Sequence, residues 1–136
     1  ALDLKDRDLI VFGSEPQAYF YLDIDPPSPH IFLSFMNKRH DRRLQMQEEF
    51  TNAIKSKKPL YALFVNFPYS WSITDSDVLD VYQWTRAYIS SFYTPFGLYE
   101  LDDQYRLSIR WSNTVEELTP SSPTYVWAMK RNQVRF

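Results

Sequence analysis

The chain has 136 residues, a net charge of −2 and no cysteine, and 44% of its residues are hydrophobic and 18% aromatic. That length fits a single domain spanning residues 1–136, with ample material for a core. The charge balance argues against nucleic acid, which needs a clustered positive field, and the absence of cysteine excludes disulfides, thiolate catalysis and cysteine-based zinc sites.

The chain opens with Asp8 to Gly13, a short apolar run ending in glycine. With both faces apolar it reads as a buried, parallel strand. Ser14-Glu15-Pro16 suits a helix start, and Gln17 to Leu22 follows as a short aromatic helix. The rigid connector Asp25 to Pro29 leads into a second expected strand, His30 to Phe35. Asp41 can cap a helix running to about Lys57, with Met46, Phe50, Ala53 and Ile54 on one face. Leu60 to Phe67 is the strongest strand signal, and a loop from Pro68 to Thr74 carries Tyr69 and Trp71. Thr74 or Asp75 caps the next helix, where Asp75, Asp77 and Asp80 favour its positive end. Val78, Tyr82, Thr85, Ile89 and Phe92 mark its buried face, widened by Val81 and Tyr88, and Pro95 and Gly97 end it. Phe96 to Leu101 and Tyr105 to Trp111 form a hairpin, Thr114 to Pro123 a polar loop, and Tyr125 to Lys130 a last strand.

The alternation predicts an α/β fold: a small three-layer sandwich whose mostly parallel, Rossmann-like sheet carries antiparallel strands at one edge. No apolar run approaches the ~20 residues that span a bilayer, and no signal peptide is visible.

The best placed candidate site is Gly13-Ser14-Glu15-Pro16, because open α/β sheets bind ligands at the carboxyl ends of their strands. Two glycines in the whole chain are too few for a dinucleotide fingerprint or a phosphate-binding loop. A capped turn is the simpler reading. Asp6-Arg7-Asp8, Asp23-Ile24-Asp25 and Asp75-Ser76-Asp77 match the Asp-x-Asp pattern of metal-dependent sugar transferases. With 11 Asp in 136 positions, about one such match arises by chance, and no metal or cofactor is assigned. His30 and His40 lack a partner at ligand spacing, and the basic run Lys38 to Arg43 reads as a solvated helix entrance or a contact to an anionic lipid surface. Pro68, Tyr69 and Trp71 offer aromatic surface to a sugar ring or a lipid headgroup, or pack as core. The aromatic surplus likewise divides between core and half-exposed surface.

Several stretches together resemble the soluble C-terminal domain of bacterial multi-spanning membrane glycosyltransferases, the protein O-mannosyltransferase-like and aminoarabinose-transferase-like enzymes that use lipid-linked sugars. The carrying residues are Val11 to Gln17 followed by Tyr19 or Tyr21, then Pro26 to Pro29, then Lys58-Pro59-Leu60-Tyr61-Ala62-Leu63-Phe64-Val65, and a late element from Tyr99 to Tyr105. Ser28-Pro29-His30 stands where relatives often carry Ser-Arg. The resemblance implies an extracytoplasmic, periplasmic domain on an integral membrane protein, with catalytic and donor-lipid sites in membrane-proximal loops outside this chain. It implies no catalytic residue here, and an accessory role: covering the active site or contacting the acceptor. The implied partners are the membrane-embedded portion of the same polypeptide and a polyprenyl-phosphate-sugar or glycan acceptor. The competing reading is an independent ligand-binding protein or small enzyme with a cleft near Gly13-Ser14-Glu15. Ligand or acceptor contacts would fall to Ser14, Glu15, Gln17, Tyr19, Tyr69 and Trp71.

Overall fold

A computed structural model describes residues 3–72 and 80–133. The chain is mixed α/β, built on one open five-stranded sheet. Strand β1 (Leu9–Phe12) is buried along its whole length, as its unbroken apolar run requires. Helix α1 (Gln17–Leu22) follows Pro16, whose φ of −66° already suits a helix. It stops where Asp23 turns left-handed and donates its backbone N–H to the last turn.

The apolar run from His30 to Phe35 departs from expectation. It is not a strand but leads into a single helical turn, α2 (Leu33–Met36). Leu33 and Met36 are buried while Phe32 and Phe35 are exposed, an i, i+3 pattern that a run this short cannot distinguish from a buried strand by periodicity. Helix α3 (Arg43–Lys57) buries Gln47, Phe50 and Ile54 on the expected side. Its N-cap is Arg42 rather than Asp41, and no side chain caps it. Lys55 and Lys57 sit in its last turn, where the dipole favours them.

Strand β2 (Tyr61–Asn66) follows, and the expected loop after it begins with a helical turn, α4 (Pro68–Trp71). Helix α5 (Asp80–Phe92) buries Val81, Thr85, Tyr88 and Ile89. Thr74, Asp75, Asp77 and Val78 lie outside the described residues. Strand β3 (Tyr93–Leu101) starts directly after α5, so Pro95 and Gly97 lie within a strand, at an irregularity of its register. A short turn leads to β4 (Leu107–Trp111). The expected polar loop holds a 3-10 turn (Glu116–Leu118), and β5 (Thr124–Arg131) closes the fold.

The strand order is β1-β2-β5-β3-β4, with β1 and β2 parallel and every other neighbouring pair antiparallel. The mostly parallel, Rossmann-like sheet is therefore not what forms. The reason is local. β1, β2 and β3 do run in the same direction, as helical crossovers demand. But β3 lands one position away from β2, and the antiparallel β5 fills the gap.

Side-chain alternation divides the core between the two faces of the sheet. The larger cluster joins Phe12, Phe64, Leu98 and Met129 to residues of α2, α3, α4 and α5. The smaller one joins Leu9, Val11 and Val65 to Tyr19 of α1 and to Ile24. Among the described residues, helix covers this second face only near β1 and β2. Among the described residues four of the five helices share the first face and α1 alone lies on the second.

Leu118 is fully buried in the larger cluster, and its carbonyl accepts the Trp127 indole N–H at 2.9 Å. The segment read as a polar loop is thus pinned down by one apolar plug. Leu118→Ala is expected to cost about 2–5 kcal/mol, measured as a lower denaturant midpoint at unchanged m.

Candidate functional site

The carboxyl ends of the parallel pair meet in a polar knot. The Ser14 backbone N–H donates to Ser70 Oγ at 2.8 Å, and Ser14 Oγ donates to the Ser70 carbonyl at 2.7 Å. Ser14 Oγ also accepts the Ser34 N–H at 2.8 Å. Ser70 Oγ in turn donates to Glu15 Oε2 at 2.8 Å. The turn after β1 is thereby tied to α2 and α4. Gly13 is needed here for proximity, since a Cβ at that position would lie 2.3 Å from Glu15 Oε2 and 2.7 Å from Ser70 Oγ. Partial burial raises the Glu15 pKa above its usual value, against the lowering effect of the Ser70 and Ser14 hydrogen bonds.

A hydroxyl donating to a carboxylate is the geometry of a nucleophile and its base. Ser70, however, is buried, and its oxygen already accepts the Ser14 N–H. The knot works as a clamp on three segments, with the Ser14 and Ser70 hydroxyls engaged internally.

Of the six residues singled out from sequence, the fold brings together Ser14 and Glu15, with Ser70 as the partner that links them. Tyr19 is in the smaller core, where its hydroxyl accepts the Val11 N–H at 2.7 Å. Burial raises its pKa strongly. Trp71 is fully buried in the larger core and donates its indole N–H to the Val65 carbonyl at 2.6 Å. Gln17 is exposed, and Tyr69 is 95% exposed. The six therefore do not share one open surface.

The other sequence candidates are also engaged in local structure. His30 pairs with Glu49 at 2.7 Å, holding that carboxyl below its usual range with help from Gln45. His40 stacks on Phe35 with ring centroids 4.4 Å apart. Asp6 accepts the Asp25 N–H at 2.8 Å, and Asp8 accepts the Lys5 N–H at 3.0 Å. Asp6, Asp23 and Asp25 line one shallow depression, yet no group of three ligating side chains among the described residues is arranged to hold a metal.

An apolar groove among the described residues was not foreseen from sequence. It lies on the second face of the sheet, over β5, β3 and β4. The groove, of about 440 Å³, has Gly97, Val126 and Ala128 as floor and Phe67, Tyr99 and Trp111 as walls. None of its lining residues is charged. An adjoining depression of about 230 Å³ shares Leu63, Trp111 and Ala128 and extends the apolar surface toward Leu4 and Leu22. Trp111 is 68% exposed yet ordered by contact. Its ring is stacked on Phe96 at 5.8 Å and lies so close over Gly97 that a Cβ there would come within 2.3 Å. The signal for this surface was the alternation in Gly97-Leu98-Tyr99-Glu100-Leu101 and Leu107-Ser108-Ile109-Arg110-Trp111, which places two apolar rows side by side once the hairpin closes.

The raised pKa of Glu15 has a definite sign. The folded state holds the proton more tightly than the unfolded chain, so this group's contribution is most favourable below 4.5 and is lost as pH rises through the folded value. Glu15→Gln is expected to raise the melting temperature at neutral pH. The gain is under about 1 kcal/mol, because the carboxylate stays half in solvent. Melts below pH 4.5 should show the gain vanish, whereas an equal gain at both pH values would mean that ionisation is not its source.

Comparison of the chain with protein families, curated proteins and solved structures gave no match.

Proposed function

We propose that this chain is a noncatalytic accessory domain of a membrane glycosyltransferase that uses lipid-linked sugar, and that it docks through the open face of its sheet. The observation that carries the reading is the uncharged groove over β5, β3 and β4. The groove joins the exposed side chains of Tyr99, Ile109 and Trp111 into one apolar surface, and its aromatics suit a partner that is itself partly apolar. The polar knot at Ser14, Glu15 and Ser70 supports the same reading from the other side. It spends the best placed hydroxyl and carboxylate on holding loops together.

The sequence resemblance supplies the parent. In this proposal the occupant of the groove is the membrane-embedded portion of the same polypeptide, at the extracytoplasmic surface. No helix among the described residues is long and apolar enough to cross a membrane; the spanning segments are assigned in this proposal to another part of the polypeptide. The domain's role is to cover the active site or contact the acceptor, while the transfer chemistry belongs to the membrane portion.

Two measurements test this. The gene should encode a multi-helix membrane segment in the same reading frame, and a free-standing frame of this size would sink the proposal. In the full-length protein, Tyr99→Glu places a charge in the groove wall. It is expected to lower sugar transfer at least tenfold, about 1.4 kcal/mol, and to leave the melting temperature of the separate chain within a degree or two. Full activity with a charged groove would remove the docking face from the reading.

A further inference from the structure

The two edges of the sheet are treated differently. β1 is buried along its length, whereas all five residues of β4 are exposed. β4 has no proline, lysine or glycine, and it pairs with β3 in unbroken register, without a bulge to twist the edge away. Its only charge, Arg110, is turned to Glu100 at 3.1 Å on the covered face of the sheet.

The ladder fixes which backbone groups point outward. Asp102 donates to Arg106 and Ser112 donates to Phe96. In an antiparallel pair, residues alternate between facing the neighbour and facing away. Arg106, Ser108, Arg110 and Ser112 therefore bond to β3, and Leu107, Ile109 and Trp111 present N–H and C=O to the outside. These are also the residues whose side chains lie on the apolar face.

We propose that β4 pairs with β4 of a second copy of this chain, antiparallel about a two-fold axis at Ile109, joining two sheets into one of ten strands. The register is self-complementary. Ile109 faces Ile109, Leu107 of one copy faces Trp111 of the other, and Ser108 faces Arg110. Charge selects this register over its neighbours. A slip of two residues in one direction sets Arg110 against Arg110, and in the other sets Arg106 against Arg110. Like charges directly opposite destabilise a sheet. In the centred register, Arg106 instead meets Ser112, whose hydroxyl is bonded to the Glu117 carboxylate. An edge contact of five pairs buries less than the roughly 1,200 Å² typical of stable complexes. The dimer is accordingly weak and concentration-dependent. It forms through backbone groups at the edge of the sheet, while the Ile109 and Trp111 side chains stay on the groove side.

Sedimentation velocity of the 136-residue chain should show the mass rising toward twice the monomer value between about 10 μM and about 1 mM, the range that weak association spans. Amide exchange at Leu107, Ile109 and Trp111 should slow in parallel. Ile109→Pro removes an outward N–H while leaving the bonds to β3, and should abolish the dimer. Ser108→Arg sets a new cation beside Glu100 within the chain but against Arg110 across the axis, and should weaken association at least fivefold. A chain that stays monomeric throughout, a dimer that survives Ile109→Pro, or one indifferent to Ser108→Arg would overturn the proposal.

Discussion

Strand β5 occupies the gap between β2 and β3, and the sheet depends on that placement. It pairs with β2 from Tyr125 to Lys130 and with β3 along almost its full length. Without it, the β1-β2 pair and the β3-β4 hairpin would be separate two-stranded pieces, which are marginal alone in water. Its alternation serves both faces. Tyr125, Trp127 and Met129 enter the larger core, and Val126 and Ala128 face the groove. The contrast in size is what hollows the second face. Small residues on the central strands make a floor, and Phe67, Tyr99 and Trp111 rise around it. One strand thus completes the core on one side and shapes the candidate docking surface on the other.

The segment that delivers β5 is held by a buried charge. Glu100 is 4% exposed and accepts backbone N–H groups from Ser121 and Ser122, the Ser121 hydroxyl and the Arg110 guanidinium. A buried carboxylate is tolerable only with such full satisfaction. The same Arg110 is the sole charge on the edge strand. Pairing it inward fixes the entry into β5 and leaves the outward edge of β4 with apolar side chains and available backbone groups. The order of the last strand and the nakedness of the edge are therefore linked through one ion pair.

Much of the fold was legible locally. β1, α1, α3, β2, the β3-β4 hairpin and β5 follow from runs and periodicities long enough to have one reading, as in Phe50 and Ile54 of α3. The failures occur where local pattern is degenerate or where contacts are distant. The six residues from His30 to Phe35, four of them apolar, fit a strand or a helical turn equally well. Pro95 and Gly97 look like helix terminators, but β3 absorbs them at an irregular point of its ladder. Strand order was hidden because inserting β5 beside β2 is decided by pairing across more than fifty residues, not by anything within β5. For the site, Ser14 and Glu15 were visible as the turn after a strand, but Ser70 was not, since its partners lie 55 and 56 positions away. Tyr19 and Trp71 carry polar handles that could meet a ligand or finish a core, and Val11 and Val65 decide that they finish cores.

A sheet that exposes a face and an edge has two unmet demands, and they differ in chemistry. The groove lacks apolar cover, which any apolar surface of matching shape can supply, so it selects weakly among partners. The edge lacks hydrogen-bond partners at fixed spacing, with arginines that penalise a slipped register, so it selects strongly. Cover on the face does not satisfy the edge, because the outward N–H and C=O groups of Leu107, Ile109 and Trp111 lie in the plane of the sheet. The two surfaces can accordingly serve different contacts at once: in the proposed reading the face turns toward the membrane portion and the edge toward another copy. Ile109 and Trp111 are common to both. Their side chains line the groove while their backbone groups belong to the edge.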